Sequence, residues 1–155
     1  MRKTLYTLFA VLGLCFLAGC SDDKENDSPL ARQLEGEWHL VSWVGSATSD
    51  FDAYISFTAG GVFEIYQRIE TVEYERYAGT YQLRDHVFSG RYSDNSPLRS
   101  PSYEISFDET GNTLTMTSDA SLGEVSVYKR AAIPESVKGD AGAVNSSRSA
   151  RKVLL

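Results

Sequence analysis

Apolar and polar residues alternate along much of this chain. Tyr103, Ile105 and Phe107 share one parity, and Glu104 and Ser106 take the other. Phe63 and Ile65 oppose Glu64 and Tyr66, while Tyr77, Gly79, Tyr81 and Leu83 fall on one side of their run. A period of two marks a strand with one face in a core and one in solvent. Eight such runs are predicted, at 37–44, 52–57, 62–69, 74–83, 87–92, 103–107, 113–117 and 124–130. They are rich in Val, Ile, Thr, Tyr and Phe, the residues that suit a pleated, half-buried surface.

The connectors between these runs are short and carry turn chemistry. Ala59-Gly60-Gly61 joins the second and third runs, and Asp85-His86 joins the fourth and fifth. Residues 108–112 and 118–123 close the later hairpins. Short links favour antiparallel neighbours. The expected fold is therefore all-β, an eight-stranded up-and-down antiparallel barrel. Such a barrel can hold side chains or one small ligand inside. Only the link at 93–101, with Pro97 and Pro101, is long and irregular, and it is expected at a barrel mouth. Residues 30–34 can form a helical turn leading into the domain. Residues 135–155 have few apolar residues and no period, which predicts a disordered tail.

The N-terminus has a different pattern. Arg2 and Lys3 precede an apolar run from Leu5 to Leu17, followed by Leu17-Ala18-Gly19-Cys20. A basic start, a short apolar stretch and small residues at a cut describe a secretory signal peptide. The run is short of the roughly 20 residues that span a bilayer. The string LAGC resembles the lipobox of bacterial lipoproteins. The resemblance implies cleavage before Cys20 and acylation of Cys20 by chains such as palmitate. Several chains on one cysteine suffice for stable membrane anchoring. Residues 1–19 are then the signal, and residues 20–33 an acidic tether. Ser21 after the cysteine resembles lipoproteins sent to the outer membrane. Asp22, Asp23 and Glu25 resemble the surface-export signal of some Gram-negative lipoproteins, or are plain linker composition.

Loss of Arg2 and Lys3 with the signal moves the formal charge from −6 to −8. That balance argues against nucleic acid and anionic headgroups as partners. Cys15 would leave with the signal and Cys20 would be acylated, so no disulfide is expected and packing must stabilise the domain.

The first strand reads LEGEWHLVSW, and Gly36 followed by Trp38 resembles the G-x-W signature of lipocalins. In that family the tryptophan closes one end of the barrel against a basic residue near the end of the last strand. Here Arg130 or Lys129 would stack on Trp38 through a cation–π contact. The resemblance covers residues 34–134. The chain departs from larger lipocalins in lacking a helical pattern after the barrel and a disulfide. In a regular strand Trp43 falls on the face opposite Trp38.

Tyrosine pairs a flat apolar face with a polar tip, which suits an amphipathic ligand. Tyr66, Tyr77, Tyr81, Tyr92 and Tyr103 are the candidate ligand-binding residues. One of Arg68, Arg76, Arg91 and Arg99 could point inward to meet a carboxylate. His39 and His86 have no partner at metal-ligand spacing, so no metal is expected. No G-x-S-x-G elbow is present and no carboxylate pair is marked, so no catalytic residue and no cofactor is assigned. Residues 108–112 lack the alternating oxygen ligands of a calcium loop and read as a turn. The expectation is a non-enzymatic, lipid-anchored barrel of the outer membrane, facing the periplasm or the cell surface. It would bind a small amphipathic or hydrophobic ligand. The alternative is a structural or protein-interaction lipoprotein with a filled barrel.

Overall fold

The computed structural model describes residues 28–44, 46–47, 51–69, 72–144 and 153–155. The order of elements is α1 (Pro29–Leu34), β1 (Gly36–Trp43), β2 (Ser46–Ala47), β3 (Phe51–Phe57) and β4 (Val62–Ile69). Then follow β5 (Glu75–Arg84), β6 (Val87–Tyr92), β7 (Tyr103–Phe107), β8 (Thr113–Ser118), β9 (Val125–Arg130), α2 (Glu135–Asp140) and β10 (Gly142–Ala143).

Eight strands, β1 and β3 to β9, form a closed antiparallel meander. Each pairs with the next in the chain, and β1 pairs with β9 to close the circle. The turn at Asp85 has φ of 54°, the positive value that its residue type tolerates. Gly79 on β5 faces the interior, where a Cβ would lie 2.4 Å from both the Arg91 carbonyl and the Phe63 ring. The missing side chain is what lets Phe63 pack against the wall.

One end of the barrel is shut. Ser28 caps α1 by accepting from the Ala31 N–H at 3.0 Å. The helix buries Ala31 and Leu34. Trp38 donates its indole N–H to the Leu34 carbonyl at 2.9 Å, fixing α1 across this end. Above it, Phe57, Phe63, Tyr81 and Phe88 pack with ring centres 5.3–6.4 Å apart. That aromatic cluster fills the lower half of the interior.

Three features depart from the sequence expectations. Trp43 faces inward, not outward. The β1–β9 register slips between Leu40 and Ser42, and this bulge resets the alternation. A helix does follow the barrel. Ile133 and Val137 bury against Tyr66 on the outer face, too few apolar positions to show a period. Glu37 secures this packing by accepting from the Ile133 N–H at 2.8 Å and pairing with Lys138 at 3.0 Å. Residues 135–155 are thus not a disordered tail throughout. β10 pairs in parallel with Glu75 and Arg76 of β5, and Val153, Leu154 and Leu155 are buried in the main core. No helix among the described residues is long and apolar enough to cross a membrane.

Candidate functional site

The open end is opposite α1, where β1, β4, β6 and β8 finish. Inward parity brings Tyr77 of β5, Tyr92 of β6 and Tyr103 of β7 to this half. The Tyr77 and Tyr92 rings lie 6.2 Å apart, and Tyr92 meets Phe63 edge-on at 5.7 Å. Tyr77 donates its hydroxyl to Glu75 at 2.9 Å, and Tyr103 accepts from the Ser100 N–H at 3.3 Å. The link at 93–101 lies over this mouth, as its irregular sequence suggests, with Leu98 and Ser100 buried.

Two of the five candidate tyrosines are elsewhere. Tyr81 is inward but deep, stacked on Phe88 and donating to the Thr58 carbonyl at 2.9 Å. Tyr66 is a correction. Phe63, Ile65 and Gln67 hold the inward parity of β4, which turns Tyr66 to the outer face beneath α2. Its hydroxyl donates to Glu64 at 2.9 Å.

Sequence reasoning missed Gln67, an amide that is only 1% exposed on the inner wall. Its signal was its parity with Phe63 and Ile65. Tyr128 of β9, one of the strand aromatics but not one of the five candidates, has a fully buried hydroxyl with Ser126 beside it. The neighbouring Ser126 hydroxyl donates to the Met116 carbonyl at 3.3 Å. Burial pushes the Tyr92 and Tyr128 hydroxyls well above the ordinary tyrosine range. It pushes Tyr103 and Tyr81 up to about 12. These hydroxyls stay neutral at physiological pH.

The mouth already holds a segment from outside the barrel wall. The Leu154 N–H donates to Gln67 Oε1 at 3.0 Å, and the Tyr92 hydroxyl donates to the Leu155 carbonyl. Val153, Leu154 and Leu155 belong to the same apolar cluster as Tyr77, Leu98 and Tyr103. Where β10 meets β5, Arg76, Tyr92, Asp94 and Val144 line a cavity of about 150 Å³.

A polar clamp forms the rim. Arg99 pairs with Glu124 at 2.9 Å and lies 5.3 Å from the centre of the Trp43 ring. Trp43 donates to Glu124 at 3.3 Å. Arg68, Arg76 and Arg91 face outward, against Tyr74, Glu64 and Asn95. His39 is also outside, 2.7 Å from Asp52 and stacked on Tyr54 at 4.4 Å. His86 sits 3.3 Å from the Ile105 carbonyl. At the closed end Arg130, not Lys129, covers Trp38, with its guanidinium 4.1 Å from the ring centre. Cys20 and the acidic residues after it lie outside the described residues.

No protein-family model matches the chain. No curated protein matches it closely enough to mark a relative. The reading of the site therefore rests on its geometry.

Proposed function

We propose that this chain is a lipocalin-like lipoprotein, anchored to the outer membrane through Cys20, whose barrel mouth binds a small amphipathic molecule. The observation that carries this reading is the placement of buried hydrogen-bonding groups on an otherwise apolar wall. Gln67, Tyr92 and Tyr128, all buried, are set among Tyr77, Leu98 and Tyr103. Ligand sites are mostly apolar concavities with a few placed polar groups that fix orientation. A barrel built only to be filled gains nothing from buried polar groups, each of which costs free energy unless it is hydrogen-bonded. Trp38 and Arg130 at the opposite end fit the G-x-W resemblance and support the lipocalin-like assignment. The lower half is packed with aromatic rings, so the ligand site is confined to the mouth.

The test is native mass spectrometry of the detergent-extracted protein. A ligand that copurifies with the wild type, and is lost when Tyr92 and Gln67 are replaced, supports the reading. Absence of any adduct, together with no saturable binding of small amphipathic probes, overturns it. The anchor is tested separately by labelling with a radioactive fatty acid, where Cys20→Ala should remove the label. Undiminished label in that variant overturns the lipoprotein assignment. Protease shaving of intact cells then distinguishes a surface-facing from a periplasmic barrel.

A further inference from the structure

We propose that Val153–Leu155 is an intramolecular ligand of the barrel mouth, so that the site reads a short aliphatic peptide and must be vacated before another ligand enters. The inference rests on the binding site proposed above and names its chemistry and its regulation.

Three observations carry it. The first is how the segment is held. Gln67 accepts from a main-chain N–H, and Tyr92 donates to a main-chain carbonyl one residue on. An acceptor on β4 and a donor on β6 thus meet the main chain at successive residues. The second is the side chains. A valine and two leucines lie within the apolar cluster, with Leu155 0% exposed. The site therefore accommodates branched aliphatic groups.

The third is how the segment is delivered. β10 pairs with β5 beside the mouth, and the Val144 N–H donates to the Arg76 carbonyl at 2.9 Å. Val144 itself packs on the core cluster. The chain is thus tied at the rim before it reaches residue 153. Tethering turns occupation into an intramolecular step, with an effective concentration in the millimolar range for short linkers. Even a weak peptide site then stays filled. An external ligand meets only the vacated fraction, and its apparent affinity falls by that fraction.

The experiment compares the full chain with the same chain lacking residues 153–155, using the fluorophore anilinonaphthalene sulfonate as probe. Circular dichroism establishes that each variant is folded. Deletion is expected to tighten probe binding by about tenfold or more, as expected when the resident segment leaves less than a tenth of sites open. Acetylated Val-Leu-Leu peptide should then displace the probe from the deletion variant, and a triserine peptide should not. Equal saturable binding by both proteins overturns the intramolecular ligand but leaves the ligand site standing. Probe binding that the peptide does not compete with overturns the peptide-reading site. Folded variants that take up no probe at all overturn the ligand site itself.

If the deletion variant does not fold, Leu155→Ser in the full chain replaces it. The barrel wall is untouched and only the apolar contact of the segment is lost. The larger vacated fraction should raise probe affinity about twofold or more. Unchanged probe affinity in that folded variant overturns the proposal.

Discussion

The guanidinium of Arg130 lies over the Trp38 ring and also donates to the Gln33 carbonyl at 2.7 Å and the Glu35 carbonyl at 2.9 Å. These two carbonyls belong to the end of α1 and the residue after it. One side chain on the last barrel strand therefore holds the first strand and the capping helix together. Gly36 makes room for it. Its φ is 112°, and a Cβ there would lie 2.8 Å from Arg130 Nη1. The glycine and the tryptophan of the G-x-W string thus have one shared physical purpose at this end.

Trp38→Ala should destabilise the domain by about 3–5 kcal/mol, as for other buried tryptophans. A domain of this size is stable by only about 5–15 kcal/mol. Chemical denaturation should show a large drop in midpoint, and a near-neutral result would sink the closure model. Arg130→Lys should cost about 1–2 kcal/mol, because a single ammonium cannot serve two carbonyls and the ring face together. Full stability in the lysine variant would mean that charge alone matters there.

Trp43→Ala should cost less than Trp38→Ala, though both side chains face inward. Trp43 sits at the rim, keeps some contact with solvent and leans on Phe51 and Arg99. Its loss removes one side of the Arg99–Glu124 clamp without opening the core. The expected cost is about 1–3 kcal/mol, the common range for damaging substitutions. An equal or larger effect than that of Trp38 would place the critical seal at the mouth.

Much of the barrel was legible because strand alternation is a local property. The runs at 62–69, 87–92 and 103–107 match β4, β6 and β7 residue for residue. Trp43 was misplaced because a bulge depends on pairing with β9, which a single run does not encode. Tyr66 carried its own correction, since its parity opposes Phe63 and Ile65. The candidate site was legible only in part. Tyr77, Tyr92 and Tyr103 follow from inward parity, and Gln67 shares the parity of Phe63 and Ile65 but, being polar, was not read as part of the inner wall. Val153–Leu155 was invisible as a core element. Three apolar residues have no period, and their partners lie far away in sequence.

Gly79→Ala tests how tightly the interior is closed. The added methyl would meet the Arg91 carbonyl and the Phe63 ring at 2.4 Å. One neighbour is backbone, so relief requires β6 to move or Phe63 to leave its place. Overpacking of this kind costs about 1–3 kcal/mol, and sometimes more. The double variant Gly79→Ala with Phe63→Leu should recover part of that loss. If Gly79→Ala alone is neutral in thermal unfolding, the wall between β5 and β6 is looser than the packing implies.

Alkaline unfolding tests the tyrosine-rich interior. Burial raises Tyr103 and Tyr81 to about 12 in the folded chain, against an ordinary value near 10. Burial moves Tyr92 and Tyr128 in the same direction. A raised folded value means that the native state holds its proton more tightly than the unfolded chain does. The associated stability is complete below about pH 10, where both states are protonated. It falls as the pH rises from about 10 through about 12, since the unfolded chain ionises first. Circular dichroism and tyrosinate absorbance, followed together, should therefore change in one cooperative step within that window. Tyr103→Phe removes one ionising group and should make the step less steep in pH. Smooth ionisation of all the tyrosines near pH 10, with the β-sheet signal intact, would mean that water reaches the mouth freely and that these hydroxyls are not sealed inside.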